Sequence, residues 1–285
     1  MQPWRKTSMN LWLHVFISLV CALTGVLIGG WFARLRRPYW MIGYFIPLIL
    51  LIAFAFSVRF PTLMFAPPLS WMMMGMRKFV TFGFIATLVL TTPLSRLPRA
   101  RDRYLVAFLM AIIVYFVSIW PFLAPMFDRR QLSRLQTKLD GDGICLQTTP
   151  YTCGPASAVT ALHKLGLGGD EGKIAILSCT CDQEGTPVDM LGDALQKEYG
   201  AKGLVVQCRA FHNIAELREA GLTLAVIKYS LIEDHWVAVL GVTDTEVIVG
   251  DPLAGLTHVS HEDFGRRWRY IGIVLQRDLA QQGSK

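Results

Sequence analysis

Gln147-Thr-Thr-Pro-Tyr-Thr-Cys153-Gly-Pro-Ala-Ser-Ala158 sets a cysteine at the head of a run with helical apolar spacing, six residues after a glutamine. Unpaired backbone N–H groups and the positive end of a helix dipole favour an anion there, and the anion is the form in which a cysteine attacks. Gln147 offers a side-chain amide donor to an oxygen that gains charge during acyl transfer. A buried cysteine packed as a small apolar residue is the plainer reading, and the commoner one for a cysteine taken alone. The rest of the chain decides between them.

The 285 residues suffice for about two domains, and their charge is divided unevenly. Residues 1–140 hold 16 Lys and Arg against 3 Asp and Glu, whereas residues 141–285 hold 12 against 18. The first half therefore stands at +13 and the second at −6, which gives the +7 of the whole chain. No basic stripe crosses the acidic half, so nucleic acid is not an expected partner. In the first half Lys and Arg stand in short clusters between apolar runs, as they do near lipid headgroups. Of six cysteines, Cys21 lies in an apolar run. Besides Cys153, the acidic half holds Cys145, Cys179, Cys181 and Cys208, enough for two bridges in an oxidising compartment or four thiols in a reducing one. Cys179 and Cys181 lack partners at zinc-finger spacing, so no metal and no cofactor is expected.

Four stretches read as spans in region 1–127: 11–33, 38–58, 79–95 and 104–127. The first is uncharged and, at about 1.5 Å per residue, exceeds the roughly 30 Å hydrocarbon core. Arg5 and Lys6 precede it as in a signal peptide, but it lacks a small-residue cleavage site and reads as an uncleaved anchor. Pro61, Pro67 and Pro68 break the apolar stretch ahead of the third span. Lys and Arg near the span ends are too evenly split to fix orientation. His14, alone in an apolar span, reads as a packing residue.

Residues 128–143 are polar, end in glycines, and read as a juxtamembrane linker. Residues 144–278 read as one small α+β domain, and 279–285 as a tail. Helices are expected at Cys153–Leu165, Pro187–Tyr199 and Asn213–Ala220. Strands are expected at Gly203–Gln207, Leu222–Lys228, His235–Val242, Glu246–Val249 and Arg269–Gln276.

A cysteine nucleophile needs a base. His163 lies about 15 Å along the helix of Cys153 and is too far, and His212, His258 and His261 stand in polar surroundings. His235 heads the apolar strand His-Trp-Val-Ala-Val-Leu-Gly-Val, where a sheet would hold its ring. Asp251, after the next strand, is the candidate to orient that ring, provided the hairpin register cooperates. Asp234 adjoins His235 but points to the opposite face.

Gln147…Cys153-Gly154-Pro155-Ala156, Glu184-Gly185-Thr186-Pro187, His235-Trp236-Val237 and Val249-Gly250-Asp251-Pro252, in this order, resemble the papain-like cysteine peptidases that remove double-glycine leader peptides from bacteriocins. The likeness runs over about Ile144 to Arg277. It implies Cys153 as nucleophile, His235 as general base and acid, Asp251 as orienter and Gln147 as oxyanion donor. Well-known members of that family are fused to a six-span exporter and an ATPase. Here no GxxxxGK[ST] occurs, since Gly172-Lys173 is followed by Ile174, and ATP binding within this chain is not expected.

The expected protein is an N-terminal α-helical transmembrane region of about four spans followed by an α+β papain-like cysteine peptidase domain. Its expected partners are a peptide or protein substrate, the lipid bilayer and a separate exporter or ATPase subunit. Its expected place is the bacterial inner membrane, with the peptidase domain on the cytoplasmic face. Two alternatives are an inactive peptidase-like domain that binds a peptide and a transglutaminase-like acyl transferase.

Overall fold

The computed structural model describes residues 11–36, 38–60, 72, 76–94, 96–230 and 233–278. Arg5, Lys6, the prolines 61, 67 and 68 and the expected tail at 279–285 lie outside them. The chain divides into two compact units, Met1–Ala124 and Pro125–Lys285.

The first unit is helical. Its helices are α1 (Leu11–Arg34), α2 (Ile42–Arg59), α3 (Arg77–Leu94), α4 (Ala100–Val114) and the start of α5 (Trp120–Leu132). A π-helical turn, Tyr115–Ile119, precedes α5, next to Pro121, whose nitrogen has no hydrogen to donate. Among the described residues, three stretches are long and apolar enough to cross a membrane: Trp12–Arg34, Tyr39–Phe56 and Ala100–Leu132. The expected span at 79–95 forms α3, which is not among them, because it opens on Arg77-Lys78 and carries four threonines. Those threonines are turned inward, as Thr81, Thr87, Thr91 and Thr92 are all buried.

Glycines let α1 approach α3 closely. A Cβ at Gly25 would overlap Thr87 Oγ1 and lie 2.8 Å from the Phe84 carbonyl, and one at Gly29 would lie 3.0 Å from Thr91 Cβ. Gly25 and Gly29 form the small-xxx-small spacing by which helices pack without large side chains between them. His14 stacks on Phe122 with ring centroids 5.6 Å apart, as a packing residue would.

The second unit is α+β. Its six-stranded sheet is antiparallel throughout, in the order β3 (Leu204–Ala210), β8 (Trp268–Arg277), β4 (Thr223–Lys228), β5 (Asp234–Val242), β6 (Glu246–Asp251) and β7 (Gly255–Ser260). Helix α6 (Cys153–Lys164) is buried at every position from Cys153 to Leu162. Its small residues Gly154, Ala156, Ser157, Ala158 and Ala161 permit that. Gly250 on β6 meets this layer, where a Cβ would come within 2.9 Å of Ile144 and 3.1 Å of Thr160. Phe211, Leu217, Ala225, Val237, Val239, Val247, Phe264 and Trp268 belong to the hydrophobic core cluster. Helices α7 (Glu171–Leu177), α8 (Val188–Tyr199), α9 (Ile214–Ala220) and α10 (His261–Arg267) complete the unit.

The expected helices and strands are present within a few residues, and α7, β7 and α10 are additions to them. Residues 128–143 are more ordered than a bare linker. They hold the end of α5 and a short strand β1 (Lys138–Leu139), which pairs with β2 (Cys145–Leu146).

Candidate active site

Cys153 is the first residue of α6, and its helix begins without a side-chain cap. The Thr152 hydroxyl is turned back to its own loop, donating to the Thr149 carbonyl and accepting the Thr149 N–H, each at 3.1 Å. Pro155 is tolerated in the first turn because its missing N–H would have had no helical partner there. The start of α6 therefore keeps backbone donors beside the thiol, the setting that stabilises an oxyanion.

The loop before α8 closes against this helix start. Cys181 and Gly185 exchange two backbone hydrogen bonds of 3.2 and 2.9 Å, with Gly185 at a φ of +63° that suits glycine. A Cβ on Gly154 would come within 2.8 Å of Thr186, so glycine is what lets the loop lie this close. The Trp236 indole N–H donates to the Thr186 carbonyl at 3.0 Å, and the Ser157 hydroxyl donates to the Trp236 carbonyl at 3.0 Å. Trp236 is thus fastened to both the loop and α6, and it carries its neighbour His235 with it.

His235 is buried, at 5% exposure, and its Nε2 lies 2.8 Å from Asp251 Oδ1. The hairpin register explains the contact. Val239 pairs with Val249 and Ala238 with Gly250, so the next step of the ladder sets Val237 opposite Asp251. His235, two residues on, shares the face of Val237 and becomes a diagonal neighbour of Asp251. Burial alone would push the His235 pKa down, but hydrogen bonds to Asp251 and Cys153 and their charges outweigh it and raise it to about 9. With Nε2 engaged by Asp251, Nδ1 is the ring nitrogen left for the thiol. Burial likewise opposes ionisation of Asp251, yet the His235 contact, the Leu253 N–H at 2.9 Å and the charge of Arg267 hold its pKa below the usual carboxylate value. Asp234 is paired instead with Arg269, at 2.7 Å.

Gln147 sits in the loop before α6. Its backbone N–H donates to the Pro252 carbonyl at 3.0 Å, which ties it to the turn after Asp251. Its side-chain Nε2 donates to the Thr149 carbonyl at 2.9 Å, while its Oε1 is buried with no hydrogen-bond partner. His235 and Asp251 therefore form a hydrogen-bonded pair whose titration also feels Cys153, and Gln147 is linked to it through Pro252. The other histidines in this domain serve elsewhere. His212 meets Glu216, His258 meets Glu246, His261 meets the Thr243 carbonyl and His163 lies beside Gly143. All six cysteines are free. Burial pushes Cys145 and Cys208 up to about 12 and Cys179 up to about 11, and it raises Cys181 as well. In the sequence Ser157, in an alanine-rich helix, looks like core, and Trp236 stands only as the neighbour of His235 in an apolar strand.

Residues 143–279 match the model of the Peptidase C39 family. This is a Peptidase C39 domain. It is accordingly a cysteine-type peptidase domain, preceded by a helical region with apolar helices of membrane-spanning length. The C39 domain is similar to an uncharacterized protein of Methanothermobacter thermautotrophicus, 26% identical over 143 residues, which are 50% of this chain and 94% of that protein. A protein of Methanothermobacter marburgensis is 26% identical over 144 residues, 50% of this chain and 95% of its own. Among solved structures, similarity extends to the peptidase domain of Streptococcus ComA, a bi-functional ABC transporter involved in a quorum sensing pathway. There the TM-score is 0.41 and the identity 22%, over 47% of this chain and 96% of that one. A double glycine motif protease from an AMS/PCAT transporter, in complex with the leader peptide, gives a TM-score of 0.40 and 17% identity over 51% and 96%.

Proposed function

We propose that this chain is a membrane-held C39 peptidase in which Cys153, His235, Asp251 and Gln147 carry the hydrolysis. The Cys153 sulfur attacks a peptide carbonyl carbon, and the oxygen that gains charge is met by the Gln147 amide and the donors at the start of α6. His235, paired with the thiol through Nδ1, receives its proton and delivers it to the leaving amine. Water then attacks the thioester, again with His235 as base, and the acid product leaves. Asp251 keeps the imidazole oriented and favours its protonated form. The observation that carries this reading is the 2.8 Å contact between His235 Nε2 and Asp251 Oδ1, on a histidine whose pKa Cys153 also raises.

The substrate class we propose is a leader or secreted peptide met close to the bilayer, with a separate exporter or ATPase subunit as partner, as the sequence resemblance implies. Beside Asp251 a cavity of about 220 Å³, lined by Ile227, Val249, Val259 and Phe264 with Thr257 and Arg267 also on its wall, is a place for a largely apolar side chain of such a peptide. Three apolar helices supply the anchor, and α3, with its threonines shielded among its neighbours, completes the four-span reading. The peptidase domain is proposed to face the cytoplasm.

Thiol labelling and turnover of a fluorogenic peptide library by the full chain in detergent test the chemistry. Cys153→Ala is expected to lose both the fast labelling and the cleavage. A Cys153 that labels no faster than Cys208, with no peptide cleaved, sinks the reading. Reporter fusions after Phe127 test the side, and mapped disulfides among Cys145, Cys179, Cys181 and Cys208 would overturn the cytoplasmic assignment.

A further inference from the structure

Beneath the loop that carries Gln147 lies a carboxylate for which the hydrolysis has no use. Glu171 opens α7 and is fully buried, at 0% exposure. Both its oxygens are occupied by one residue: Oε1 accepts the Thr148 N–H at 2.9 Å and Oε2 accepts the Thr148 hydroxyl at 2.6 Å. Its own N–H donates to the Thr137 hydroxyl at 2.9 Å. A carboxylate withdrawn from water is retained only where its oxygens are satisfied.

Thr148 directly follows Gln147, and Gln147 is held on its other side by its N–H bond to the Pro252 carbonyl. The 147–148 backbone is therefore clamped between the turn that carries Asp251 and the start of α7. The Gln147 amide already gives one N–H to Thr149, so the direction of the donor that remains follows from where this backbone sits. An oxyanion donor is effective only when its position is held within about 0.5 Å.

Building on the reading of Gln147 as oxyanion donor, we propose that Glu171 is a positioning residue that fixes Gln147 through Thr148. It touches neither substrate nor nucleophile, and it acts on the step in which the carbonyl oxygen becomes charged.

The test compares Glu171→Ala, Glu171→Gln, Thr148→Ala, Gln147→Ala and Cys153→Ala in the full chain. Each is assayed for cleavage of a fluorogenic peptide taken from the library and for alkylation of Cys153 by iodoacetamide, which creates no oxyanion. Glu171→Ala and Thr148→Ala are expected to lower kcat about 10- to 100-fold, with KM within about twofold and the alkylation rate unchanged. Glu171→Gln keeps an acceptor for the Thr148 N–H and is expected to recover most of that loss. Added to Gln147→Ala, Glu171→Ala is expected to cost little more, because the two act as one unit. Thr148 is exposed, so its variant carries the test if Glu171→Ala does not fold. Alkylation falling in step with kcat, or a full further loss on top of Gln147→Ala, overturns the proposal. Unchanged kcat in Gln147→Ala removes the oxyanion assignment and the proposal with it, and unchanged turnover in Cys153→Ala removes the nucleophile.

Discussion

Thr87 in the helical half and Ser157 in the peptidase half are both buried hydroxyls, at 2% and 0% exposure, yet they find their partners at opposite ranges. Thr87 donates to the Gly83 carbonyl four residues back on its own helix, at 2.9 Å, and Thr92 does the same to Leu88 at 2.7 Å. Ser157 reaches the Trp236 carbonyl 79 residues away, Trp236 reaches Thr186 across 50, and Glu171 reaches Thr148 across 23. In the helical half Thr87 and Thr92 are settled within their own helix, while Thr91 reaches Met110 Sδ at 3.5 Å and Arg96 the Ala33 and Leu35 carbonyls, and glycines bring α1 and α3 together. In the peptidase half the polar groups are themselves the ties between elements. A change at Thr87 is therefore expected to stay within α3, whereas a change at Ser157 or Trp236 is expected to reach the strand that carries His235.

The largest break of this contrast is at the chemistry. Cys153→Ala and His235→Ala are each expected to reduce turnover about 10⁵-fold or more, with far-ultraviolet circular dichroism unchanged. Asp251→Asn follows, at about 10³-fold, because in the proposed mechanism the ring loses its orienter. In that variant the burial that disfavours imidazolium is less opposed, so NMR titration should show the His235 midpoint well below about 9. The same pair governs stability. A histidine whose pKa is raised from 6.5 to about 9 stabilises the folded domain fully below pH 6.5, and that contribution is lost as pH rises through 9. Asp251, whose pKa is lowered, contributes above its ordinary 3.8 and loses the contribution as pH falls through its depressed value. Urea midpoints of the wild type should therefore decline from pH 6.5 to 9 more steeply than those of Asp251→Asn.

Next in size is a change confined to the helical half. Gly25→Val drives a side chain into Thr87 and the Phe84 carbonyl and should cost about 1–3 kcal/mol in thermal unfolding of the detergent-solubilised chain. Peptide turnover should be unaffected. The smallest pair sharpens the contrast most directly. Ser157→Ala strands a buried carbonyl and should cost about 1–2 kcal/mol together with a few-fold loss of kcat. Thr87→Val leaves Gly83 and Phe84 with their helical partners and should cost under about 1 kcal/mol, with no change in kcat.

The helix start at Cys153 and the His235–Asp251 contact were legible in the sequence because each residue stands at the end of an element with a strong pattern: a helix start, the head of an apolar strand, the end of the next strand. The missing parts have weak patterns for physical reasons. Strand β7 lies at the sheet edge, and its exposed Leu256 and His258 hide any alternation. Helices α7 and α10 have seven residues each, two turns, too few to show a 3.6-residue period. Their caps were present as signals, since Asp170 accepts the Lys173 N–H and Ser260 accepts the Asp263 N–H. Glu171 was invisible for another reason. A glutamate in a first helical turn ordinarily faces water, and only the fold shows that its partner is Thr148.

A Cβ at Gly154 would come within 2.8 Å of Thr186, and Thr186 is held in turn by the Thr180 hydroxyl at 2.8 Å and, through its carbonyl, by the Trp236 indole. The two positions therefore do not vary independently. In a saturation library, any side chain at 154 is compatible only with a smaller residue at 186, so single-site selection would return glycine, and paired randomisation would reveal substitutions that neither position tolerates alone. Directed evolution of this domain has its first epistatic pair at Gly154 and Thr186.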